Sequence, residues 1–211
     1  METATSPEAT TGSLSTFPSV PLPSAPMYRF CVEQYLEMGR TGILTKDDRV
    51  ELIEGWIVQT RAKNPLHPYV SSALQELLGA IVPVGWYLRV EQPVVLGESV
   101  PEPDLLVAKG TRSDYRARNP GASETALVIE IAESSLLHDR INKKREYARA
   151  GMVCYWLVDL VHSLVEVYTG SSGPTESPDY AKVERVEAEG TLIFHIEDQE
   201  IGRIAVREIF P

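Results

Sequence analysis

The sequence predicts an α/β fold, in which helices and short strands share one hydrophobic core. Segments with apolar residues at helical spacing alternate along the chain with short apolar runs of strand length. Residues 126–131 are almost continuously apolar, as in a central strand that is covered on both faces. The chain has 211 residues and is 43% hydrophobic, which suits a single domain with one core.

The first residues predict a tail that stays outside this domain. Residues 1–26 contain five prolines, five serines and five threonines, with little apolar surface to bury. We therefore expect a disordered tail over residues 1–26 and a single domain over residues 27–211.

The beginning of the domain predicts one helix and one hairpin. Residues 32–36 have apolar side chains at helical spacing, and Gly39 is the expected end of that helix. Residues 50–58 predict two strands joined by a tight turn at Glu54-Gly55.

Two further helices and seven strands are expected after the hairpin. Ser71 and Ser72 are the expected N-cap of a helix whose apolar face lies within residues 74–81. Another helix is expected over residues 139–150, with Gly151 ending it. Strands are expected at residues 88–96, 105–107, 126–131, 153–158, 164–168, 182–186 and 191–195, and the last three should complete the sheet.

Composition excludes several classes of protein. Cys31 and Cys154 form no disulfide framework, and no spacing of Cys with His resembles a zinc site. The first residues lack the basic and apolar regions of a signal peptide, and no apolar stretch reaches the roughly 18 residues needed to span a bilayer. We therefore expect a soluble cytoplasmic protein that does not enter membranes.

The formal net charge of -10 argues against a general nucleic-acid coat protein, because phosphate binding requires clustered Lys and Arg. Two local clusters are nevertheless basic. Residues 139–149 carry five basic and two acidic side chains, and Arg112, Arg116 and Arg118 lie close together. Each cluster taken alone is more typical of an ordinary solvated surface than of a binding site.

Two carboxylates lie within apolar segments and predict a metal site. Asp104 follows Pro103 and opens the apolar residues 105–107, and Glu130 interrupts residues 126–132. Burial of a carboxylate is costly without a partner, and a divalent cation is the simplest partner for two. Pro103-Asp104 alone is also common as a turn at a strand entrance.

Such a site suits phosphodiester hydrolysis. That reaction needs an attacking water, neutralisation of charge in the transition state and stabilisation of the leaving oxygen, and a divalent ion contributes to all three. Mg²⁺ prefers oxygen ligands, so Asp104, Glu130 and the main-chain carbonyl of Ile131 would form a sufficient set. Mn²⁺ would fit the same ligands.

Lys143 is the expected catalytic cation. Asp139, Lys143 and Tyr147 share one face of the helix that follows Glu130, whereas Lys144 points elsewhere. Asp139 could hold Lys143, and Tyr147 could donate a hydrogen bond beneath the site. The alternative is an exposed ion pair of Asp139 with Lys143 worth about 0.3 to 0.5 kcal/mol. His67 could also contact phosphate or approach the metal, although a lone loop histidine is more often structural.

Four segments together resemble a known nuclease superfamily. They are RVELIEGWIV from Arg49, PEPDLLVAKG from Pro101, LVIEIAESSLLHDRINKKREYARAG from Leu127 and YWLVDL from Tyr155. With these four segments in this order, the chain resembles the PD-(D/E)XK nuclease superfamily. More closely, it resembles the bacterial Uma-type family of candidate restriction endonucleases, formerly a domain of unknown function.

The resemblance implies a restriction-endonuclease-like core, which is a mixed β-sheet flanked by α-helices, and Mg²⁺-dependent cleavage of DNA. Asp104 and Glu130 match the two motif acids. Glu51 matches a further acidic position and would complete the metal site, although a solvated strand carboxylate is nearly as good an interpretation. The implied contacts with DNA fall on basic residues of the two clusters, namely Arg140, Lys144, Arg112 and Arg116.

The sequence departs from the wider superfamily at one catalytic position. Glu130-Ile131-Ala132 lacks the lysine that usually follows the glutamate by two residues, and Lys143 matches a lysine on the next helix in the closer family. For catalysis, the position of the lysine ammonium near the phosphate matters more than the position of the lysine in the sequence. Cys154 also stands where relatives usually carry Glu.

Three functions remain open from the sequence. The first is a Mg²⁺-dependent endonuclease acting on DNA. The second is an inactive nuclease fold kept as a binding module, which the acidic net charge and the lack of a separate DNA-reading domain favour. The third is a metal-dependent hydrolase of another phosphate ester. Cutting both strands of a duplex favours a homodimer.

Overall fold

The computed structural model describes residues 25–60 and 63–211. The expected tail, except for residues 25 and 26, lies outside the described residues. The helices are α1 (Val32–Thr41), α2 (Leu66–Ile81), α3 (Leu136–His138) and α4 (Lys144–Arg149), and a π-helical turn (Asp139–Lys143) joins α3 to α4. Short 3-10 turns lie at Arg112–Tyr115, Ala122–Glu124 and Val206–Glu208.

Ten strands occur in the described part of the chain. They are β1 (Val50–Ile53), β2 (Trp56–Gln59), β3 (Trp86–Val90), β4 (Leu105–Lys109), β5 (Thr125–Ala132), β6 (Cys154–Asp159), β7 (Leu164–Ser171), β8 (Tyr180–Val186), β9 (Thr191–Ile196) and β10 (Gln199–Ala205).

Six of these strands form the central mixed sheet, in the order β3-β4-β5-β6-β7-β8. Only the β5–β6 pair within this sheet is parallel, and the chain crosses between these strands through α3, the π-helical turn and α4. Parallel neighbours require such a crossover. The expected fold class, a mixed sheet flanked by helices, is confirmed.

The two faces of the sheet are covered by different elements. On one face α2 and the β9–β10 hairpin pack on the sheet, and Leu74, Ile129 and Phe194 are fully buried there. On the other face α4 packs on the sheet through Tyr147, beside Val128. Successive side chains of β5, such as Val128 and Ile129, therefore point to opposite faces of the sheet.

A smaller third cluster joins the N-terminal elements to the domain. Val32 of α1, Leu52 of β1 and Val100 pack together. Leu52 also accepts a hydrogen bond from the backbone N–H of Val100 at 2.7 Å. The β1–β2 hairpin is thereby held beside the central sheet, with Glu51 next to the anchoring Leu52.

Two expected helix boundaries are wrong. α1 continues past Gly39 to Thr41, and Gly42 ends it in the left-handed conformation at φ 77°. α2 begins at Leu66, so Ser71 is a buried interior residue and not an N-cap. The helix starts early because Pro68 lies in its first turn, where a missing N–H costs nothing.

The sheet also differs from expectation at its ends. β3 stops at Val90 because Glu91 is left-handed at φ 48° and Pro93 follows. β9 does not complete the central sheet but pairs with β10, a strand that the sequence analysis did not predict. The helix expected over residues 139–150 begins earlier, at Leu136, and includes the π-helical turn.

No helix within residues 25–60 and 63–211 has both the length and the apolar character needed to cross a membrane. The thiols of Cys31 and Cys154 are both free.

Candidate active site

The β4–β5 pairing places the two predicted carboxylates opposite each other. Its antiparallel register pairs Leu105 with Ile129, so the next position outward sets Asp104 against Glu130. Glu130 lies two residues after Val128, on the face that α4 covers. Two like charges at facing positions repel each other, so the pair needs cations around it.

Asp104 is held by three donors. Its Oδ2 accepts a hydrogen bond from the backbone N–H of Ile131 at 2.7 Å. Its Oδ1 lies 2.8 Å from Lys63 Nζ and 3.0 Å from His67 Nε2. Burial acts to raise the pKa of Asp104, but the hydrogen bond from His67 and the charge of Lys63 outweigh burial and hold that pKa below its usual range.

Glu130 has fewer compensating contacts. Its Oε1 accepts a hydrogen bond from the hydroxyl of Tyr147 and lies 3.1 Å from Lys143 Nζ. Burial raises the pKa of Glu130 to about 8, against the opposing effect of the Lys143 charge and with the help of repulsion from Asp104. Glu130 is therefore a carboxylate that lacks enough positive charge nearby.

Lys143 joins the hairpin to the central sheet. Its Nζ lies 2.6 Å from Glu51 Oε2 as well as 3.1 Å from Glu130 Oε1. Burial acts to lower the pKa of Lys143, but Glu130 and Glu51 outweigh burial and raise it, so the amine stays protonated. Glu51 is itself only 5% exposed, which contradicts the interpretation of a solvated strand carboxylate.

Asp139, Lys143 and Tyr147 all face the site, as the helical spacing predicted, although Asp139 and Lys143 lie in a π-helical turn and not in a regular helix. Asp139 and Lys143 are both buried in the site, but Lys143 pairs with Glu51 and Glu130 and not with Asp139. The next residue, Lys144, points to Asp179, whose Oδ1 lies 2.8 Å from Lys144 Nζ. Burial raises the pKa of Asp139, although a hydrogen bond with Ser135 opposes this.

These groups line one cleft of about 870 Å³. The cleft runs between α1, the β1–β2 hairpin, the start of α2 and the ends of β4 and β5. Its lining includes a set of four carboxylates and one lysine that are each at most 6% exposed, namely Glu51, Asp104, Glu130, Asp139 and Lys143. This buried set carries more negative than positive charge.

The donor chemistry of the cleft fits a divalent cation. Carboxylate and carbonyl oxygens are the ligands that Mg²⁺ prefers, and a bound cation would stabilise the ionised form of Glu130, which burial and neighbouring carboxylates disfavour. Within residues 25–60 and 63–211 no group of three or more His, Cys, Asp or Glu side chains is already arranged to hold a metal ion. Lys143 and Lys63 occupy carboxylate oxygens instead.

Sequence reasoning missed Lys63 and gave His67 little weight. Lys63 stands in a polar segment before α2, with no pattern that would single it out. His67 is buried in the first turn of α2, where its backbone N–H donates to Asn64 Oδ1 at 3.1 Å. The His67 ring lies 3.0 Å from Asp104 Oδ1, a contact that only the three-dimensional arrangement reveals.

Two of the four basic residues expected to contact DNA are engaged in ion pairs. Arg140 Nε lies 3.0 Å from Glu166 Oε2, and its Nη2 lies 3.2 Å from Asp159 Oδ2. Both of those carboxylates are almost completely buried, so Arg140 neutralises them. Lys144 pairs with Asp179 and lies over the ring of Tyr168.

Arg112 and Arg116, in contrast, are exposed. Arg116 lines a shallow groove together with Leu36, and Leu36 also lines the cleft that holds the carboxylates. The groove and the cleft therefore adjoin at α1, which places Arg116 beside the candidate active site.

Comparison with known families decides the family of this chain. A family model described as "Uma2: Putative restriction endonuclease" matches residues 32–197. The chain belongs to this family. The match extends from α1 to β9 and includes Glu51, Asp104, Glu130 and Lys143, so the resemblance inferred from the sequence is confirmed at the level of the family.

A solved structure supports the fold of this Uma2 family member. The chain is similar to the crystal structure of a "putative nuclease belonging to DUF820" from Anabaena variabilis, with a TM-score of 0.62 and 16% sequence identity. The similarity covers 86% of this chain and 97% of that chain. At this level of identity the similarity shows a shared fold. No curated protein matches the chain.

Proposed function

We propose that this protein is a Mg²⁺-dependent endodeoxyribonuclease that hydrolyses phosphodiester bonds of DNA. The observation that carries the proposal is the convergence of Asp104, Glu130, Glu51 and Lys143 in one cleft. Membership of a family described as restriction endonucleases agrees with it. Burying so many titratable groups together costs free energy, because a charged side chain is removed from water and a buried Glu130 is driven toward its protonated form.

The metal would be held by Asp104 and Glu130, with the main-chain carbonyl of Ile131 and the carboxylate of Glu51 as further ligands. Mn²⁺ would bind through the same oxygens. When bound, the ion supplies Lewis acidity and an activated water. The chain's own contribution is to fix these oxygens, since the Ile131 N–H orients Asp104 and the Tyr147 hydroxyl orients Glu130.

Lys143 acts in this proposal as a permanent positive charge. Its raised pKa keeps the amine protonated, so it does not accept a proton from water at neutral pH. An ammonium fixed between two carboxylates stabilises negative charge that develops on the phosphate in the transition state. Its burial strengthens this effect, since water does not screen the charge.

DNA would reach the cleft along its basic side. Arg116 lines the groove that adjoins the cleft, and Arg112 is exposed four residues earlier in the chain, and we propose that both contact backbone phosphates. Arg140 and Lys144 would contribute less, because each already pairs with a carboxylate. Cleavage of both strands of a duplex favours a two-fold dimer, so we propose a homodimer that acts in the cytoplasm.

Nuclease assays test the proposal directly. Supercoiled plasmid, linear duplex and single-stranded DNA would be incubated with the protein in Mg²⁺, in Mn²⁺ and in EDTA. We expect cleavage with either metal and none in EDTA. A parallel preparation of Glu130→Gln controls for contaminating nucleases. Equal cleavage by Glu130→Gln, or no cleavage of any DNA with either metal, would overturn the proposal.

A further inference from the structure

Lys63 occupies one of the two carboxylate oxygens of Asp104, a proposed metal ligand. Its Nζ lies 2.8 Å from Asp104 Oδ1 and 2.6 Å from Glu91 Oε1. Asp104 also accepts a hydrogen bond from His67 Nε2 on Oδ1 and one from the backbone N–H of Ile131 on Oδ2. A carboxylate offers about four lone-pair positions, two on each oxygen, so both positions on Oδ1 are taken. A metal that binds Oδ1 must therefore displace a donor.

The three donors differ in how firmly the fold holds them. The Ile131 N–H belongs to β5 and cannot turn away without disrupting the strand. The His67 side chain is 8% exposed and is fixed in the first turn of α2. The Lys63 side chain is 39% exposed and reaches Asp104 on a flexible four-carbon stem from outside any helix or strand. Lys63 is the donor that leaves with the least rearrangement.

Charge makes the departure of Lys63 favourable once a metal arrives. A divalent cation and an ammonium at one carboxylate oxygen repel each other, and this repulsion is strong where burial limits screening. Lys63 and His67 already occupy Asp104 Oδ1 at 2.8 and 3.0 Å, so a metal ion at that oxygen would need the position that the ammonium holds. The two cations therefore compete for the same oxygen.

We infer that Lys63 is a cation place-holder, which neutralises Asp104 in the metal-free protein and is exchanged for the divalent ion when that ion binds. This inference rests on the proposed metal-dependent function. It assigns Lys63 a role in setting metal affinity that is separate from the role of Lys143. The displaced ammonium remains on the wall of the cleft, which Lys63 lines.

Calorimetric titration with Mn²⁺ tests the exchange without any cleavage assay. Lys63→Met keeps an unbranched side chain of nearly the same length but removes the charge, so Mn²⁺ should bind about fivefold more tightly, which corresponds to about 1 kcal/mol. Lys63→Arg keeps a cation and should bind Mn²⁺ like the wild type. Lys109→Met is the matched control, since Lys109 forms an exposed 2.8 Å ion pair with Glu197 outside the cleft.

Thermal melts supply a second readout. Lys63→Met should lower the melting temperature of the metal-free protein, where the ammonium neutralises Asp104. At saturating Mn²⁺ the variant and the wild type should melt together, because the ammonium no longer contacts Asp104 in either. Lys63→Gln offers the same comparison with a polar side chain if Lys63→Met folds poorly.

The outcomes separate the exchange from the proposed function. If the wild type binds Mn²⁺ and Lys63→Met binds it equally or more weakly, the exchange is wrong and the metal site stands. If Lys63→Arg bound Mn²⁺ as tightly as Lys63→Met does, the exchange would also be wrong, because the positive charge at residue 63 would then not affect metal affinity. If the wild type binds neither Mn²⁺ nor Mg²⁺, the metal-dependent function and the exchange fail together.

Discussion

The carboxylate of Asp104 accepts a hydrogen bond from the backbone N–H of Ile131 at 2.7 Å. Asp104 lies just before β4, and Ile131 lies inside β5. Because the ladder between these strands ends at the pair of Leu105 with Ile129, this bond continues the strand pairing with a side chain in place of a carbonyl. The sheet itself therefore fixes the orientation of the carboxylate, with Oδ1 turned toward Lys63 and His67.

Loss of either central carboxylate should remove the response to metal. Mg²⁺ or Mn²⁺ should stabilise the wild type by RT ln(1 + [L]/Kd), since the unfolded chain has no assembled site. Asp104→Asn and Glu130→Gln should each abolish this stabilisation in thermal melts. The matched control is Glu197→Gln, which removes an exposed carboxylate outside the cleft and should respond like the wild type. A full metal-induced shift in either cleft variant would contradict the metal site.

Lys143 and Lys144 are adjacent but should differ strongly in their effect on cleavage. Lys143→Ala removes the charge beside Glu130 and should slow cleavage by about 10² to 10³, while the metal-induced rise in melting temperature persists. It should also lower stability by about 3 to 5 kcal/mol, because it leaves Glu51 and Glu130 without their cation.

Lys144→Ala is the internal comparison for this experiment. It removes an ion pair with the half-exposed Asp179 and should change the cleavage rate little. Single-turnover rates measured at saturating metal would distinguish the two variants. Similar rates for both would show that Lys143 is not the catalytic cation.

The effect of Mg²⁺ on stability should depend on pH. Burial raises the pKa of Glu130 from 4.5 to about 8, so the folded metal-free protein holds a proton that the unfolded chain releases. That contribution to stability is complete below about pH 4.5 and is lost as pH rises through about 8. Mg²⁺ needs the ionised carboxylate, so the melting shift at fixed Mg²⁺ should grow between about pH 6 and 8.5. A constant shift across this range would contradict a role for the Glu130 proton.

Arg116 and Arg140 should separate DNA binding from stability. Arg116 is exposed beside the cleft, so Arg116→Ala should weaken binding to all DNA sequences and reduce the slope of log K against log salt by about 1. Arg140→Ala removes a partner of two buried carboxylates, Asp159 and Glu166, and should lower stability by about 1 to 3 kcal/mol. DNA titrations at several salt concentrations, together with thermal melts, check both expectations. The assignment fails if Arg140→Ala melts like the wild type while Arg116→Ala does not weaken binding.

The carboxylates of the site could be predicted because they break local patterns. Glu130 interrupts an apolar strand, and a charged residue in such a run requires a partner whatever the tertiary structure. The prediction of Asp104 and Lys143 as site residues is supported mainly by the family resemblance. Their convergence depends on the register of β4 with β5, which one chain read alone does not specify.

The contacts that complete the site could not be predicted in the same way. Lys63 lies in a polar segment, where a lysine is the ordinary choice for solvent exposure, and only the fold brings it to Asp104. Arg140 shows the converse error, because a basic cluster on a helix suggests phosphate binding while its guanidinium in fact neutralises Glu166. The sequence shows where charged residues cluster, but only the three-dimensional structure shows which of them form ion pairs.

The π-helical turn between α3 and α4 accommodates an extra residue without disturbing the packing of α4 on the sheet. Adding one residue to a regular α-helix rotates everything beyond it by about 100°, which would turn Tyr147 away from the sheet. A π-helical turn absorbs the extra residue locally. Lys143 therefore lies at the end of the turn that takes up the extra residue, and Tyr147 and Ala148 of α4 keep their buried contacts with the sheet.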